Sequence, residues 1–170
     1  MRSGPGNKYS LETELLFGEK VKIINMQDNW TLCEATLDGY TGWVETKYLS
    51  DNLEVNYRVI SLRSLVYEKD NLKAEVLFYI PICSKLFVTE RHHLWSKIQY
   101  ICNNKISEAF VPSKDIVPIN HKVFDWVSTA ELFLNTPYKW GGRDSKSIDC
   151  SALIQLSLET IGVLFPRDTK

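Results

Sequence analysis

The first 118 residues contain a weak internal repeat, and this repeat limits the folds that the chain can adopt. The two copies are runs of short apolar segments that follow one another in the same order. The first copy consists of residues 16–17, 21–24, Trp30, 42–44 and Leu49, and the second of residues 77–78, 86–88, Trp95, 109–111 and Ile116. Leu49 follows Val44 by five positions, and Ile116 follows Val111 by the same number. The repeat predicts two similar modules with a boundary near Asp51.

Each copy has the pattern of short β-strands joined by tight turns. In the first copy Val21 and Ile23 alternate with lysines, which predicts a strand with the two apolar residues directed inward. The Asp-Asn pair at 28–29 and the Asp-Gly pair at 38–39 are typical of turns between strands. The sequence therefore predicts two small β-barrels of roughly 45 and 60 residues.

The spacing of the apolar residues changes after Pro118 to steps of three and four. This spacing predicts an amphipathic helix over residues 121–135, which ends before Pro137. A second helix is predicted between Asp149, which can cap its start, and Gly162, which suits a C-terminal cap. Because both helices are apolar, we expect them to pack on a sheet that would follow in sequence.

Composition and charge exclude several classes of protein. Hydrophobic residues make up 44% of the chain and charged residues 24%, which is typical of a globular protein. The formal net charge is −1, so no nucleic-acid partner is expected. No apolar stretch reaches the roughly 20 residues of a membrane span, and the N-terminus lacks the apolar core of a secretory signal. We therefore expect no membrane partner and a cytoplasmic location, unless a secreted full-length form exists; the oligomeric state is left open.

The four cysteines are too widely spaced for a zinc knuckle or a disulfide framework, so no metal is predicted. Cys33, Cys83 and Cys102 are expected to be buried as small apolar residues. Cys150 differs because it directly follows Asp149 at the predicted start of a helix. The unpaired N–H groups and the helix dipole at this end stabilise a thiolate and can stabilise an oxyanion. The position predicts a nucleophile, with a buried structural cysteine as the alternative.

The residues around Cys150 form a distinctive motif, TPYKWGGRDSKSIDCSALIQ, over residues 136–155. This segment resembles the active-site segment of the NlpC-type cysteine peptidases of bacterial cell walls. Members of that family carry a Pro-Tyr-x-Trp-Gly-Gly block and then Asp-Cys-Ser-x-Leu at the start of a helix. Tyr138 precedes Cys150 by 12 residues, as in the family.

The resemblance implies a thiol hydrolase that cuts the bond between γ-D-glutamate and a diamino acid in peptidoglycan stem peptides, without any cofactor. It implies that Cys150 attacks the amide carbonyl to form a thioester, with Tyr138 close to the thiolate. Asp149 and Ser151 are implied to hold peptide or carboxylate groups of the substrate. Such enzymes act in wall turnover or muropeptide recycling, and the preferred diamino acid is left open.

The repeat in the first part of the chain resembles the bacterial SH3 domain. The Gly-Trp-Val segment at 42–44, followed by Leu49, is similar to the C-terminal signature of that domain, and Ala-Phe-Val at 109–111 is a degenerate version. The predicted fold class is a mainly β N-terminal part, made of two SH3-like barrels, and then the helical start of an α+β papain-like catalytic domain. The predicted divisions are a tail at 1–8, an SH3-like domain at 9–50, a second, degenerate one at 54–118, and an incomplete NlpC-type peptidase domain at 119–170.

Two such modules ahead of the catalytic segment resemble the γ-D-glutamyl-L-diamino acid dipeptidyl peptidases. In that subgroup the first SH3 module closes one end of the cleft, so the substrate must have a free N-terminal L-alanine. The resemblance implies that Asp168 holds the substrate ammonium group. Glu19 and Tyr40 of the first module are predicted as its further contacts, since acids and a phenol oxygen can surround one ammonium.

The sequence departs from the family at the general base. An activated cysteine needs a nearby base, usually histidine, and no histidine follows Cys150. His92, His93 and His121 all precede it and are not expected to serve. We therefore expect a C-terminally truncated chain that is inactive alone. The alternatives are a wall-peptide-binding module with a non-catalytic tail, and an acyltransferase or amidase on the same scaffold.

Overall fold

The fold was obtained as a computed structural model that describes residues 1–168, and it is mainly β with few helices, as predicted. Two α-helices occur in this range, α1 (Trp126–Glu131) and α2 (Cys150–Thr160). The strands are β1 (Val21–Gln27), β2 (Trp30–Ala35), β3 (Thr41–Glu45), β4 (Tyr57–Val59), β5 (Arg63–Tyr67), β6 (Val76–Pro81), β7 (Lys85–Arg91), β8 (Trp95–Cys102), β9 (Lys105–Pro112), β10 (Ile116–Pro118), β11 (Arg143–Asp144) and β12 (Ser147–Ile148).

The residues group into two compact units. The first unit combines Met1–Leu15, Glu19–Ser50 and the segment from Phe124 onward, and the second combines Leu16–Gly18 with Asp51–Val123. The first SH3-like segment and the segment that carries Cys150 therefore lie in the same unit. The predicted division into four parts, as a statement about evolutionary domains, stays a prediction.

The sheet of the first unit is an antiparallel meander in the order β1-β2-β3. The Asp-Asn pair forms the first turn, as predicted, and Asp28 adopts a positive φ of 51° there. The prediction that Ile23 points inward is wrong, because its side chain is 57% exposed. Alternation failed here because β1 is the outer strand of this meander and is exposed from Lys22 to Gln27, with a bulge after Ile23.

The N-terminal segment lies along the other edge of this meander. Arg2 and Trp43 exchange two backbone hydrogen bonds, of 2.8 and 2.9 Å, so the segment pairs with β3. Met1 and Gly4 are buried. Residues that were predicted to form a tail are therefore an ordered part of the first unit.

Helix α1 is shorter than the predicted helix over residues 121–135. Asp125 starts it by accepting hydrogen bonds from the backbone N–H groups of Val127 and Ser128, so the residues before Asp125 lie outside the helix. After Glu131 the chain continues in tighter turns with i to i−3 hydrogen bonds, and Asn135 at a φ of 67° ends them.

Helix α2 begins and ends where the sequence predicted. The Asp149 side chain accepts a hydrogen bond from the N–H of Ala152 at the start. At the end Gly162 has a φ of 81°, its N–H donates to the Glu159 carbonyl, and the Val163 N–H donates to the Leu158 carbonyl. These two bonds are the Schellman arrangement, which favours glycine at this position.

The second unit is built around a seven-stranded sheet in the order β10-β4-β7-β8-β9-β5-β6. Its core is a cluster of buried aliphatic residues on these strands, against which Phe17 and Phe78 pack with ring centroids 5.9 Å apart. The cluster consists of Val59, Val66, Ile80, Leu86, Val88, Ile98, Ala109, Val111 and Ile116.

The sequence repeat has a structural counterpart. Strands β7-β8-β9 form an antiparallel meander like β1-β2-β3, and the first strand of each carries a bulge, between Ile23 and Asn25 or between Val88 and Glu90. Each third strand leads into a 3-10 turn, Thr46–Tyr48 or Ser113–Asp115. The interpretation of both copies as SH3 barrels stays a prediction.

Candidate active site

Cys150 is the first residue of α2 and is exposed. A short hairpin, β11 paired with β12, leads directly into it. Tyr138 bridges to Ile148 of this hairpin, through the N–H of Ile148 to the Pro137 carbonyl at 3.0 Å and the N–H of Lys139 to the Ile148 carbonyl at 3.2 Å. The motif thus places Tyr138 beside the strand that precedes the cysteine, and its side chain is 65% exposed. The roles of Tyr138 and Cys150 stay predictions.

Asp149 fixes the start of this helix through a buried ion pair. Arg167 donates to both of its carboxylate oxygens, with Nη1 to Oδ1 at 2.9 Å and Nη2 to Oδ2 at 2.5 Å. Oδ1 also accepts from the N–H of Ala152 and Oδ2 from the N–H of Gly141. Because both oxygens are occupied from inside the protein, the contacts of Asp149 are those of a residue that positions the cysteine. Its predicted contact with substrate stays a prediction.

The charge state of Asp149 follows from these contacts. Burial raises the pKa of this carboxyl, whereas the Arg167 side chain and the N–H groups of Ala152 and Gly141 lower it, and the net direction is down. The carboxylate is therefore held ionised next to the helix start. Sequence reasoning missed Arg167; its only signal was its place directly before Asp168.

Ser151 belongs to the same network. Its hydroxyl lies 3.3 Å from Asp149 Oδ1 and also accepts a hydrogen bond from Arg167 Nη1. Arg167 Nε donates to the Thr13 hydroxyl at 2.7 Å, so the N-terminal segment reaches the network as well. The predicted substrate contact of Ser151 is untested, but its hydroxyl is half-buried beside a cation.

The N-terminal segment also holds the loop between Tyr138 and Arg143. The Glu14 carboxylate accepts from Lys139 Nζ at 2.5 Å and from the backbone N–H of Arg143 at 2.9 Å. A side chain at Gly141 would meet Leu11 at 2.9 Å, and the φ of this glycine is 74°. The second glycine of the Gly-Gly pair, Gly142, is equally enclosed, since a Cβ there would lie 2.8 Å from the Ser147 carbonyl oxygen. These close approaches explain why the loop contains glycines.

Tyr40 and Asp168 lie within hydrogen-bonding distance of each other, and their predicted role as amine contacts stays a prediction. Burial raises the pKa of the Tyr40 phenol, and the charge of Asp168, the charge of Glu12 and a hydrogen bond with Asp168 raise it further. Glu12 was not predicted as a site residue, and no local pattern singled it out. Asp168, Glu12 and Tyr40 form an acidic cluster, which the Arg167 charge also reaches at the Tyr40 phenol. Two carboxylates and a phenol oxygen can surround an ammonium group.

Glu19, the third predicted amine contact, has a different partner. Both of its carboxylate oxygens accept from Arg143 Nη1, at 2.8 and 2.7 Å. Both side chains are only 3% exposed. The observed contact makes Glu19 part of a buried ion pair inside the first unit, and its predicted contact with a substrate amine stays a prediction.

The other cysteines and the histidines complete the inventory of reactive groups. Cys33 and Cys83 are buried as predicted, but the same prediction is wrong for Cys102, which is exposed near the end of β8. The histidines, His92, His93 and His121, all belong to the second unit, whereas Cys150 belongs to the first. Within residues 1–168, no cluster of histidine, cysteine and acidic side chains could hold a metal ion, and neither α-helix is long and apolar enough to cross a membrane.

Comparison with known proteins identifies two segments of the chain. Residues 1–50 match the family model of the bacterial SH3 domain, and residues 135–170 match the model of the NlpC/P60 family. The two matched segments are those that share the first unit of the structure. The second SH3-like module stays a prediction.

Two curated Bacillus proteins resemble the chain along most of its length, and a third protein resembles a shorter segment. A gamma-D-glutamyl-L-lysine dipeptidyl-peptidase of Bacillus subtilis (strain 168) is 25% identical over 171 residues, which cover 93% of this chain and 56% of that protein. The protein of the same name from Bacillus cereus is 24% identical and covered to 54%. Dipeptidyl-peptidase 6 of Lysinibacillus sphaericus is 41% identical over 44 residues, or 26% of this chain and 16% of that protein. The chain thus spans a little over half the length of the two Bacillus proteins.

The fold is similar to that of a solved structure. The crystal structure of an NlpC/P60 family protein from Bacillus cereus superposes with a TM-score of 0.76 at 21% sequence identity, over 92% of this chain and 57% of that one. At this identity the likeness concerns the fold alone. The family matches cover residues 1–50 and 135–170, and the fold is shared over 92% of the chain.

Proposed function

We propose that the chain carries the nucleophile and the amine-binding end of a cysteine peptidase that hydrolyses γ-D-glutamyl-diamino acid bonds in peptidoglycan stem peptides. Two relatives bear names of this activity, with lysine as the diamino acid. The observation that carries the proposal is that two neighbouring residues, Arg167 and Asp168, connect the start of the Cys150 helix to the acidic cluster. Arg167 is bound to Asp149 at the start of the Cys150 helix, and Asp168, the next residue, is bound to Tyr40.

In the proposed reaction the Cys150 thiolate attacks the carbonyl carbon of the γ-D-glutamyl amide. The C–N bond breaks, the amine of the diamino acid leaves with a proton, and a thioester to Cys150 remains. Water then cleaves the thioester and regenerates the thiol. N–H groups at the start of α2 are the proposed donors to the oxyanion, and Tyr138 is the proposed neighbour of the thiolate.

The acidic cluster sets which peptide can bind in this proposal. An ammonium group between Asp168, Tyr40 and Glu12 gains charge-assisted hydrogen bonds that an acetylated amine cannot make. A peptide with a free N-terminal L-alanine would therefore be held with its second residue toward Cys150. This selection favours free muropeptides over intact wall, which is the specificity expected of recycling.

The base that accepts the thiol proton is the remaining requirement. The first unit contains no histidine, so its residues supply the nucleophile without its usual partner. A wall-peptide-binding module is the second candidate function, and the match of residues 1–50 to the bacterial SH3 domain is the observation that favours it.

A site-directed electrophile separates the two functions. L-Ala-γ-D-Glu carrying a chloromethyl ketone in place of the scissile amide would be incubated with the 170-residue chain, and the labelled cysteine identified by mass spectrometry. We expect rapid labelling of Cys150 that excess L-Ala-γ-D-Glu suppresses, and slow labelling of the exposed Cys102. Binding of the dipeptide without any protected labelling of Cys150 would favour the binding module, and equal labelling of both cysteines would contradict a peptide site at Cys150.

A further inference from the structure

Gln155 is a buried polar residue of α2 that neither the motif nor the proposed reaction uses. It lies in the middle of the helix that begins with Cys150, and its side chain is 1% exposed. A buried amide is costly unless its donors and acceptor are paired, so its partners reveal what this position requires.

All hydrogen-bonding groups of this amide are occupied. Oε1 accepts from Arg143 Nε at 2.7 Å. Nε2 donates to Asp38 Oδ2 at 2.8 Å and to the Phe165 carbonyl at 3.1 Å. Asp38 is 117 residues from Gln155 in sequence, whereas Arg143 and Phe165 are 12 and 10 residues away. Each bond lies within the normal range of length.

Two of these partners lead to the acidic cluster. The other oxygen of Asp38, Oδ1, accepts from the backbone N–H of Tyr40 at 3.0 Å. One carboxylate therefore connects the amide on the catalytic helix to the backbone of Tyr40. Phe165 is three residues before Asp168, so the second bond of Nε2 fixes the chain that leads to Asp168.

We propose that Gln155 is a positioning residue that sets the place of Tyr40 and Asp168 relative to Cys150, and thereby the selection for a free N-terminal amine. This inference rests on the proposed function. Cys150 and Gln155 belong to the same helix. The hydrogen bonds of Gln155 therefore fix the positions of Tyr40 and Asp168 relative to that helix. No other buried amide side chain links these elements among the hydrogen bonds described for the first unit.

Gln155→Glu is the informative substitution, because glutamate keeps the acceptor for Arg143 and loses the donors to Asp38 and to the Phe165 carbonyl. It also places two carboxylates against each other. Adding Asp38→Asn supplies a donor from the other side, so the double variant can rebuild the bond with its direction reversed. Gln27→Glu is the matched control, since Gln27 is exposed in the same unit.

The first measurement needs no ligand. Amide hydrogen exchange at Tyr40 is followed by NMR in the 170-residue chain, together with the melting temperature. In Gln155→Glu we expect the Tyr40 N–H to exchange at least about tenfold faster than the wild type, beyond any change common to the whole unit. The double variant should recover most of its protection, and Gln27→Glu should match the wild type. Unchanged exchange at Tyr40 in a folded Gln155→Glu protein would overturn the proposal.

The second measurement is the ratio of affinities for L-Ala-γ-D-Glu and its N-acetyl form. The wild type should prefer the free amine, and Gln155→Glu should reduce that preference about tenfold. The double variant rebuilds the bond to Asp38 but not the bond to Phe165, so it should regain part of the preference. A general loss of stability would lower both affinities and leave the ratio unchanged, which would overturn the positioning role. If Tyr40 exchange responds as expected but the wild type shows no preference, the proposed function fails while the hydrogen-bond connection stands, and Gln155 then has no part in specificity.

Discussion

Arg167 and Asp149 form a buried ion pair with two hydrogen bonds, and Asp149 directly precedes the candidate nucleophile, Cys150. Both hydrogen bonds are short, at 2.9 and 2.5 Å, and the two side chains are 3% and 8% exposed. Asp149 also caps α2, so the pair ties the segment around Arg167 to the start of the Cys150 helix. Loss of either charge leaves the other buried without its partner.

Replacing Asp149 by asparagine should destabilise the first unit by about 3–5 kcal/mol, because the Arg167 charge is left uncompensated. Asparagine is as good an N-cap as aspartate, so the change isolates the ion pair from the cap. Unfolding in urea at pH 7 measures the difference. The control is Asp125→Asn at the exposed cap of α1, where a much smaller change is expected. Similar losses in both variants would show that the cap, rather than the ion pair, accounts for the effect.

The contribution of Asp149 should disappear in acid. Burial raises the pKa of this carboxyl, but Arg167 and two backbone N–H groups lower it below the ordinary value of 3.8, so the folded pKa lies under the unfolded one. A depressed carboxyl pKa stabilises the fold above the unfolded pKa and loses this effect as the pH falls through the folded pKa. The difference in unfolding free energy between wild type and Asp149→Asn should be constant from pH 7 to 5 and shrink below about pH 4. A difference that grows in acid would reverse the assigned direction.

Cys150 should be alkylated faster than Cys102, although both are exposed. Backbone N–H groups at the start of α2 can stabilise negative charge that develops when the Cys150 sulfur attacks, whereas Cys102 ends a strand. We expect a rate ratio of about two- to fivefold with iodoacetamide at pH 6, and protection of the buried Cys33 and Cys83. Peptide mapping by mass spectrometry gives the four rates. A faster reaction at Cys102 would contradict the helix-terminus argument.

Glu19→Gln should act mainly on stability. Its carboxylate and Arg143 are buried together, so removing the charge should cost about 3–5 kcal/mol. Adding Arg143→Met should recover only part of that loss, because the double variant removes both charges of this pair but also takes Arg143 away from Glu159 and from Gln155. Thermal and urea unfolding of the two single variants and the double variant give the coupling free energy between Glu19 and Arg143. If Glu19→Gln is as stable as wild type and binds free-amine peptides less tightly, the original amine-contact prediction is the better one.

The local features of the candidate site could be predicted from sequence because each depends on a few neighbouring residues. The Asp149 cap, the Gly162 terminus and the turn at 28–29 follow from side-chain and φ preferences that act over one turn. The networks could not be predicted, since Glu19 and Arg143 are 124 residues apart and no periodic pattern marks a buried ion pair. The alternating pattern in β1 gave a wrong prediction for a related reason. Whether one face of a strand is buried depends on distant segments, and the face that carries Ile23 is exposed.

The 170-residue chain alone should not hydrolyse L-Ala-γ-D-Glu-diamino acid peptides. The first unit has no histidine to take the Cys150 proton, and cysteine attack without a base is slow. Product release is followed by liquid chromatography with a Cys150→Ala control. Turnover that the control abolishes would contradict this prediction and assign the base to one of the three upstream histidines.

The most direct test of the account is whether the cluster around Asp168 recognises a free amine. Calorimetry would compare L-Ala-γ-D-Glu with its N-acetyl form in the wild type and in Asp168→Asn. We expect the wild type to bind the free dipeptide more tightly, and Asp168→Asn to weaken that binding by about ten- to a hundredfold while the acetylated form is nearly unaffected, because one charge-assisted hydrogen bond is lost. Equal affinities for the two dipeptides in the wild type, or no effect of Asp168→Asn, would contradict the account.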